Sequence, residues 1–98
     1  MNSYSEAVLL QESSFQLPTS LGEPLILKVK EVKDKGSNDM IEQFSLLLEG
    51  PLNVPIQQGL YELLHEKLGS VQWLLVPIAR GTEGFVYEVV FNLLKSTQ

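Results

Sequence analysis

The chain has one histidine, His65, and no cysteine, so chemistry that needs paired imidazoles, a thiolate or a disulfide has no residues to use. Glu62 and Glu66 are the acids nearest His65 in sequence. On a strand both would share the face opposite to it, a poor arrangement for a metal ion. A lone histidine ahead of a Leu68-Gly69 turn reads as structural. His65→Ala is therefore expected to leave the fold in place, and zinc to leave the melting temperature unchanged. No serine stands in Gly-x-Ser-x-Gly spacing, so the strained turn that presents a hydrolase nucleophile is missing. Gly81 and Gly84 are too sparse for a phosphate-binding loop, and no lysine follows them. The acids can be paired in many ways, and no pair stands out as a general acid and base. The expectation is a chain that is not an enzyme and takes no cofactor and no metal.

Tyr61, Trp73, Phe85, Tyr87 and Phe91 could stack single-stranded bases, but such binders interleave basic residues, and between Tyr61 and Phe91 these are Lys67 and Arg80 alone. Core packing is the favoured role for the aromatics. Twelve acids against seven bases give a net charge of −5, a field that repels phosphate backbones, so nucleic acid is not an expected partner. Lys28, Lys30, Lys33 and Lys35 are interrupted by Glu31 and Asp34 and read as a solvated strand face guarded against edge pairing. The first ten residues lack the basic start and apolar run of a secretory signal, and no stretch approaches the roughly 20 apolar residues of a membrane helix. No membrane association and a cytoplasmic location are expected.

These side chains must be held by strands. With 98 residues, 44% hydrophobic and 19% charged, the chain suits one domain, 1–98, with 1–22 an N-terminal arm or short strand and 23–94 a β core. Leu25, Leu27 and Val29 alternate with Ile26, Lys28 and Lys30, which predicts a strand over about residues 23–33. Val32 falls on the opposite parity, and one extra residue near Lys30 and Glu31, a β-bulge, would restore the phase. After the polar stretch 34–39, Phe44, Leu46 and Leu48 predict a second strand and a long hairpin, stopped by Gly50 and Pro51. Residues 57–68 fit either period, with a strand preferred over a helix. Val71 to Ile78 is apolar on both parities and reads as a strand buried on two faces, with Pro77 ending its ladder. A loop from Arg80 to Gly84 leads into Phe85, Tyr87, Val89 and Phe91. Counting from that loop sets Ala79 opposite Phe85, Leu75 opposite Val89 and Trp73 opposite Phe91. The fold class is all-β and mainly antiparallel, a small barrel or two-sheet sandwich of about five to six strands.

The order Gly50-Pro51, Gln58-Gly59-Leu60-Tyr61, His65, Leu68-Gly69, Leu75-Val76-Pro77-Ile78 and Tyr87-Glu88-Val89-Val90-Phe91-Asn92 resembles a family of short bacterial proteins. That family is described as a domain of unknown function, with the pattern QGxY … LG … LVPI … YEAVFN. The likeness covers about the last half of the chain, and Val89 stands where the pattern has alanine. Carried over, the pattern marks Gln58, Gly59, Tyr61, His65, Gly69, Pro77, Tyr87, Glu88 and Asn92. The resemblance implies genes near phage tail-collar-like genes, and an accessory role in an extracellular-fibre or injection-like system.

Without a catalytic set, a non-enzymatic protein-interaction or assembly-accessory module is the leading expectation, and a barrel binding a small ligand in its mouth the alternative. Glu88, Tyr61 or His65 acting as acid or base is a third reading. A protein partner or self-association is expected, because a sheet that does not close leaves edge strands whose backbone groups seek partners. The proline-rich connection and its neighbour supply the contact residues Pro51, Pro55, Gln58 and Tyr61. Glu88 and Asn92, on the parity opposite to Tyr87 and Phe91, are free to join them.

Overall fold

Alternation decides which side of each strand turns inward, and it is followed by the burial along β2 (Leu25–Asp34): Leu27 and Val29 are buried and Ile26, Lys28 and Lys30 exposed. Val32 is buried as well, and the pairing with β3 (Ile41–Gly50) shifts register between Val29 and Glu31. This is the predicted bulge. It lets Leu27, Val29 and Val32 share one interior despite their parity. The structure, a computed structural model, describes residues 3–20 and 22–95. Residues 1, 2, 21 and 96–98 of the domain read from sequence lie outside them.

The remaining elements are α1 (Tyr4–Val8), β1 (Ser14–Leu17), β4 (Gly59–His65), β5 (Gly69–Arg80) and β6 (Phe85–Leu94). All pairings are antiparallel, and the strands close in the order β1-β2-β3-β6-β5-β4. Within the stretch 57–68, Gly59–His65 is a strand, as preferred, and β1 together with α1 lies in the stretch read as an arm or short strand. Closure removes the edge strands on which one expectation rested. The lysine-bearing β2 has β1 on one side and β3 on the other, so its lysines decorate the outer wall of an inner strand. Among them, Lys28 pairs with Glu12 (3.4 Å) and Lys30 with Glu49 (3.7 Å); just past the strand, Lys35 pairs with Glu88 (3.3 Å).

β5 differs from expectation. Leu75 is buried, whereas Leu74 and Ile78 are each 49% exposed, so this strand is half-buried in the manner of its neighbours and its second apolar face meets solvent. Pro77 does not end it. The ladder with β6 runs on to Arg80 through a register shift between Pro77 and Ala79. Arg80, not Ala79, therefore opposes Phe85, and Ile78 takes up the extra residue. The shift returns the deeper pairs to the counted register, with Pro77 opposite Tyr87 and Val76 opposite Glu88, which aligns Leu75 with Val89.

Aromatic rings fill the interior. Phe15 meets Trp73 at 5.0 Å, Trp73 meets Phe91 edge-on at 5.2 Å, Phe91 stacks on Phe44 at 5.0 Å, and Tyr4 closes the series against Phe44 at 5.8 Å. Both ends of β3 are covered. Near its start, α1 and the turn after it bring Ala7 and Leu10 into the core, Tyr4 N–H donates to Glu42 Oε1 at 3.1 Å, and Ser3 Oγ caps the helix by accepting from Glu6 N–H. Beyond its last residue, Gly50, the connection to β4 turns Ile56 into the core.

Candidate functional site

Tyr87, on the inner face of β6, is the anchor of the β3–β4 connection. Its Oη accepts the buried Ile56 N–H at 2.9 Å, and its ring lies where a side chain on Gly50 would stand. A Cβ at Gly50 would meet Leu27 Cδ2 at 2.7 Å, and one at Gly84 would run into the Gly50 carbonyl oxygen. These glycines are where the backbone and core come too close for a side chain. Tyr61 works on the other arm of the same connection, its Oη donating to the Gln57 carbonyl at 2.7 Å. Tyr61 is thus a clamp on the connection, half-buried against the core.

The other proposed contact residues fall into separate places. Pro51 lines a groove of about 440 Å³ with Pro24, Leu25, Glu49 and Val54, while Pro55 and Gln58 are exposed on the connection. Glu88 and Asn92 lie on the outer face of β6, far along the sheet from Pro51. Glu88 accepts from Ser45 Oγ at 2.8 Å and pairs with Lys35, which covers Ser45 completely although it points outward. Asn92 is exposed beside Gln43.

What sequence reasoning missed is the apolar character of that outer wall. Leu60 on β4 is 66% exposed and sits directly across from Leu74 on β5, and Val90, one outward step beyond Glu88 on β6, is 55% exposed. Half-buried Val76 lies between Leu74 and the Glu88 position. Gln58, Glu62, Gln72 and Asn92 are exposed around these residues. The signal was present: Leu60, Leu74 and Val90 all occupy the parity opposite to their strands' buried residues. It was absorbed into the reading of β5 as buried on two faces.

A groove of about 580 Å³ runs over the β1–β4 junction, with Ile26 and Leu64 on its sides and Ser14, Gln16 and Ser70 along it. β1 meets β4 here by the single pair Gln16 and Leu64. His65 forms part of the floor and is 6% exposed. Its Nδ1 accepts from Lys67 N–H at 3.0 Å and Leu68 N–H at 3.3 Å, which assigns the proton of the neutral ring to Nε2, facing Ser13 Oγ at 3.0 Å. Its ring packs on Phe15 at 4.6 Å. Burial holds its pKa below the ordinary 6.5, with Glu66 opposing that shift and Lys67 reinforcing it. No group of three or more His, Asp or Glu side chains among the described residues is placed to hold a metal ion, and no described helix is long and apolar enough to cross a membrane.

A family model described as a domain of unknown function, DUF6916, matches residues 3–91. The chain belongs to the DUF6916 family. No curated protein and no solved structure matches it. In this DUF6916 domain, most residues singled out by the resemblance have structural tasks. Gly69 adopts a positive φ of 72° at the β4–β5 turn, and His65, Tyr61 and Tyr87 each tie a connection to the barrel. Gln58 and Asn92 make no such tie; both are exposed on the wall that carries Leu60, Leu74 and Val90.

Proposed function

We propose that this DUF6916 domain is a non-enzymatic protein-interaction module, an accessory part of a larger assembly, which meets its partner through the outer wall of β4, β5 and β6. The observation that carries this reading is the cluster of Leu60, Leu74 and Val90, each about half or more exposed, on neighbouring strands of one face. Single exposed apolar residues are ordinary, but a contiguous group rimmed by amides and carboxylates is the composition of a contact surface. Gln58, Asn92 and half-buried Glu88, the last two on the outer face of β6, belong to this wall. Pro51 and Pro55 flank it at the end of the barrel and are secondary, and Tyr61 contributes by shaping the connection. A closed barrel offers no free strand edge, so side chains must make the contact.

The opposite wall argues by contrast. There Lys28 and Lys30 of β2 are matched to Glu12 and Glu49, a surface suited to water. A small ligand inside the barrel has less support, because rings and aliphatic side chains occupy the interior and α1 and Ile56 cover its ends. The fibre-like or injection-like setting implied by the resemblance is one in which such an accessory would act, with assembly in the cytoplasm. The test is affinity isolation from native cells at low salt, comparing the natural chain with a Leu60→Gln, Leu74→Gln, Val90→Thr variant. A protein retained by the first and lost by the folded variant supports the reading; equal retention by both, or a small molecule in place of a protein, overturns it.

A further inference from the structure

A chain of directional hydrogen bonds crosses the β1–β4 junction, apart from the outer wall. It starts at the Leu10 carbonyl, which accepts from Ser13 Oγ; Ser13 Oγ in turn accepts from His65 Nε2–H, and His65 Nδ1 accepts from the Lys67 and Leu68 amides. Every member has its donor and acceptor roles used in one sense. The chain bridges 52 positions of sequence between Ser13 and His65 at a place where the two strands share one ladder pair. A second proton on His65 would sit on Nδ1 and point at two N–H donors, so the ring cannot be charged and keep the turn.

We infer that His65 is a proton-operated latch: neutral, it clips the β4–β5 turn and the segment leading into β1 together, and charged, it releases the turn. The charged groups that face it come from both sides. Glu66 and Lys67 flank it on the turn, with opposite effects on the ring, and Glu12, beside Ser13, is already paired with Lys28 of β2. β1 presents Phe15, the segment before it Ser13, and β5 presents Gly69 and Ser70, so among the described residues no carboxylate makes a direct contact that would compensate a charged ring. Release changes the floor of the groove over the junction and loosens the hold on Ser13, which follows the segment whose Ala7 and Leu10 enter the core. The device is independent of the outer wall and stands or falls separately from it.

Nuclear magnetic resonance on the intact chain tests it. The expected results are an Nε2–H ring tautomer at neutral pH and protection factors for the Lys67 and Leu68 amides that fall about tenfold or more as the ring titrates, while β3 and β6 amides keep theirs. In His65→Asn, which keeps an acceptor near the turn but does not titrate, that pH dependence should vanish. In Ser13→Ala the turn amides should stay protected at neutral pH while the segment 3–13 exchanges faster. An Nδ1–H tautomer, turn protection unchanged across the titration of the natural chain, or the same pH dependence in His65→Asn would overturn the latch.

Discussion

The hydroxyl of Tyr87 meets the buried amide of Ile56, and a buried N–H without its acceptor is costly. Tyr87→Phe is expected to lower stability by about 1–3 kcal/mol, read from the midpoint of urea unfolding, with the slope unchanged because the barrel stays closed. His65 sets the acid limit. Its folded pKa lies below the ordinary 6.5, so its contribution to stability is full above that value and is lost as pH falls from about 6.5 through the folded value. The slope from this residue is at most about 1.4 kcal/mol per pH unit, and it should be absent in His65→Ala. That variant should still fold, as expected from sequence, but with a lower melting temperature, since it loses the Phe15 contact and the turn's acceptor. At this scale the sequence pointed to a structural histidine through its isolation and its place before a turn. The partners Ser13, Lys67 and Leu68 were not legible, because Ser13 is brought to the ring by barrel closure.

Among the elements, β2 was readable because Lys28 and Lys30 alternate with Leu27 and Val29, β3 and β6 because Phe44, Leu46 and Leu48 and then Phe85, Tyr87, Val89 and Phe91 keep one parity, and a bulge can be deduced when the apolar phase slips, as it does between Val29 and Val32. β5 was misread for the complementary reason. Periodicity reports which residues are apolar, and it cannot separate a strand buried on two faces from one that spends an apolar face on the surface. The structure separates them, and so does a pair of substitutions: Leu75→Ala should cost about 2–5 kcal/mol, whereas Leu74→Gln should change stability by no more than about 0.5 kcal/mol. Comparable losses at both positions, measured by thermal unfolding, would restore the two-faced strand. The helix α1 gave no periodic signal because five residues are too few to carry one. The one-residue error at the β5–β6 loop has a similar origin, since the bulge at Ile78 leaves no mark in the alternation of either strand end.

For the molecule as a whole, closure changes the argument for interaction. An open sheet would have needed a partner for its edges; a closed barrel needs none, and the outer wall must be explained by its side chains. The all-β class was legible because strand-length runs alternate with turn residues, but the walls of a barrel become distinct only when register assigns neighbours, such as Leu60 to Leu74. Register also separates the contact residues read from sequence, joining Gln58 and Asn92 to the apolar wall and turning Tyr61 inward. The most direct measurement is site-specific photo-crosslinking in native cells, with a photoreactive amino acid placed at position 60, 74 or 90 and, as the control, at position 33 on the lysine wall. Discrete protein adducts are expected from 60, 74 and 90 and none from 33; adducts from 33 alone, or none from the three wall positions, would overturn the outer wall as the contact surface.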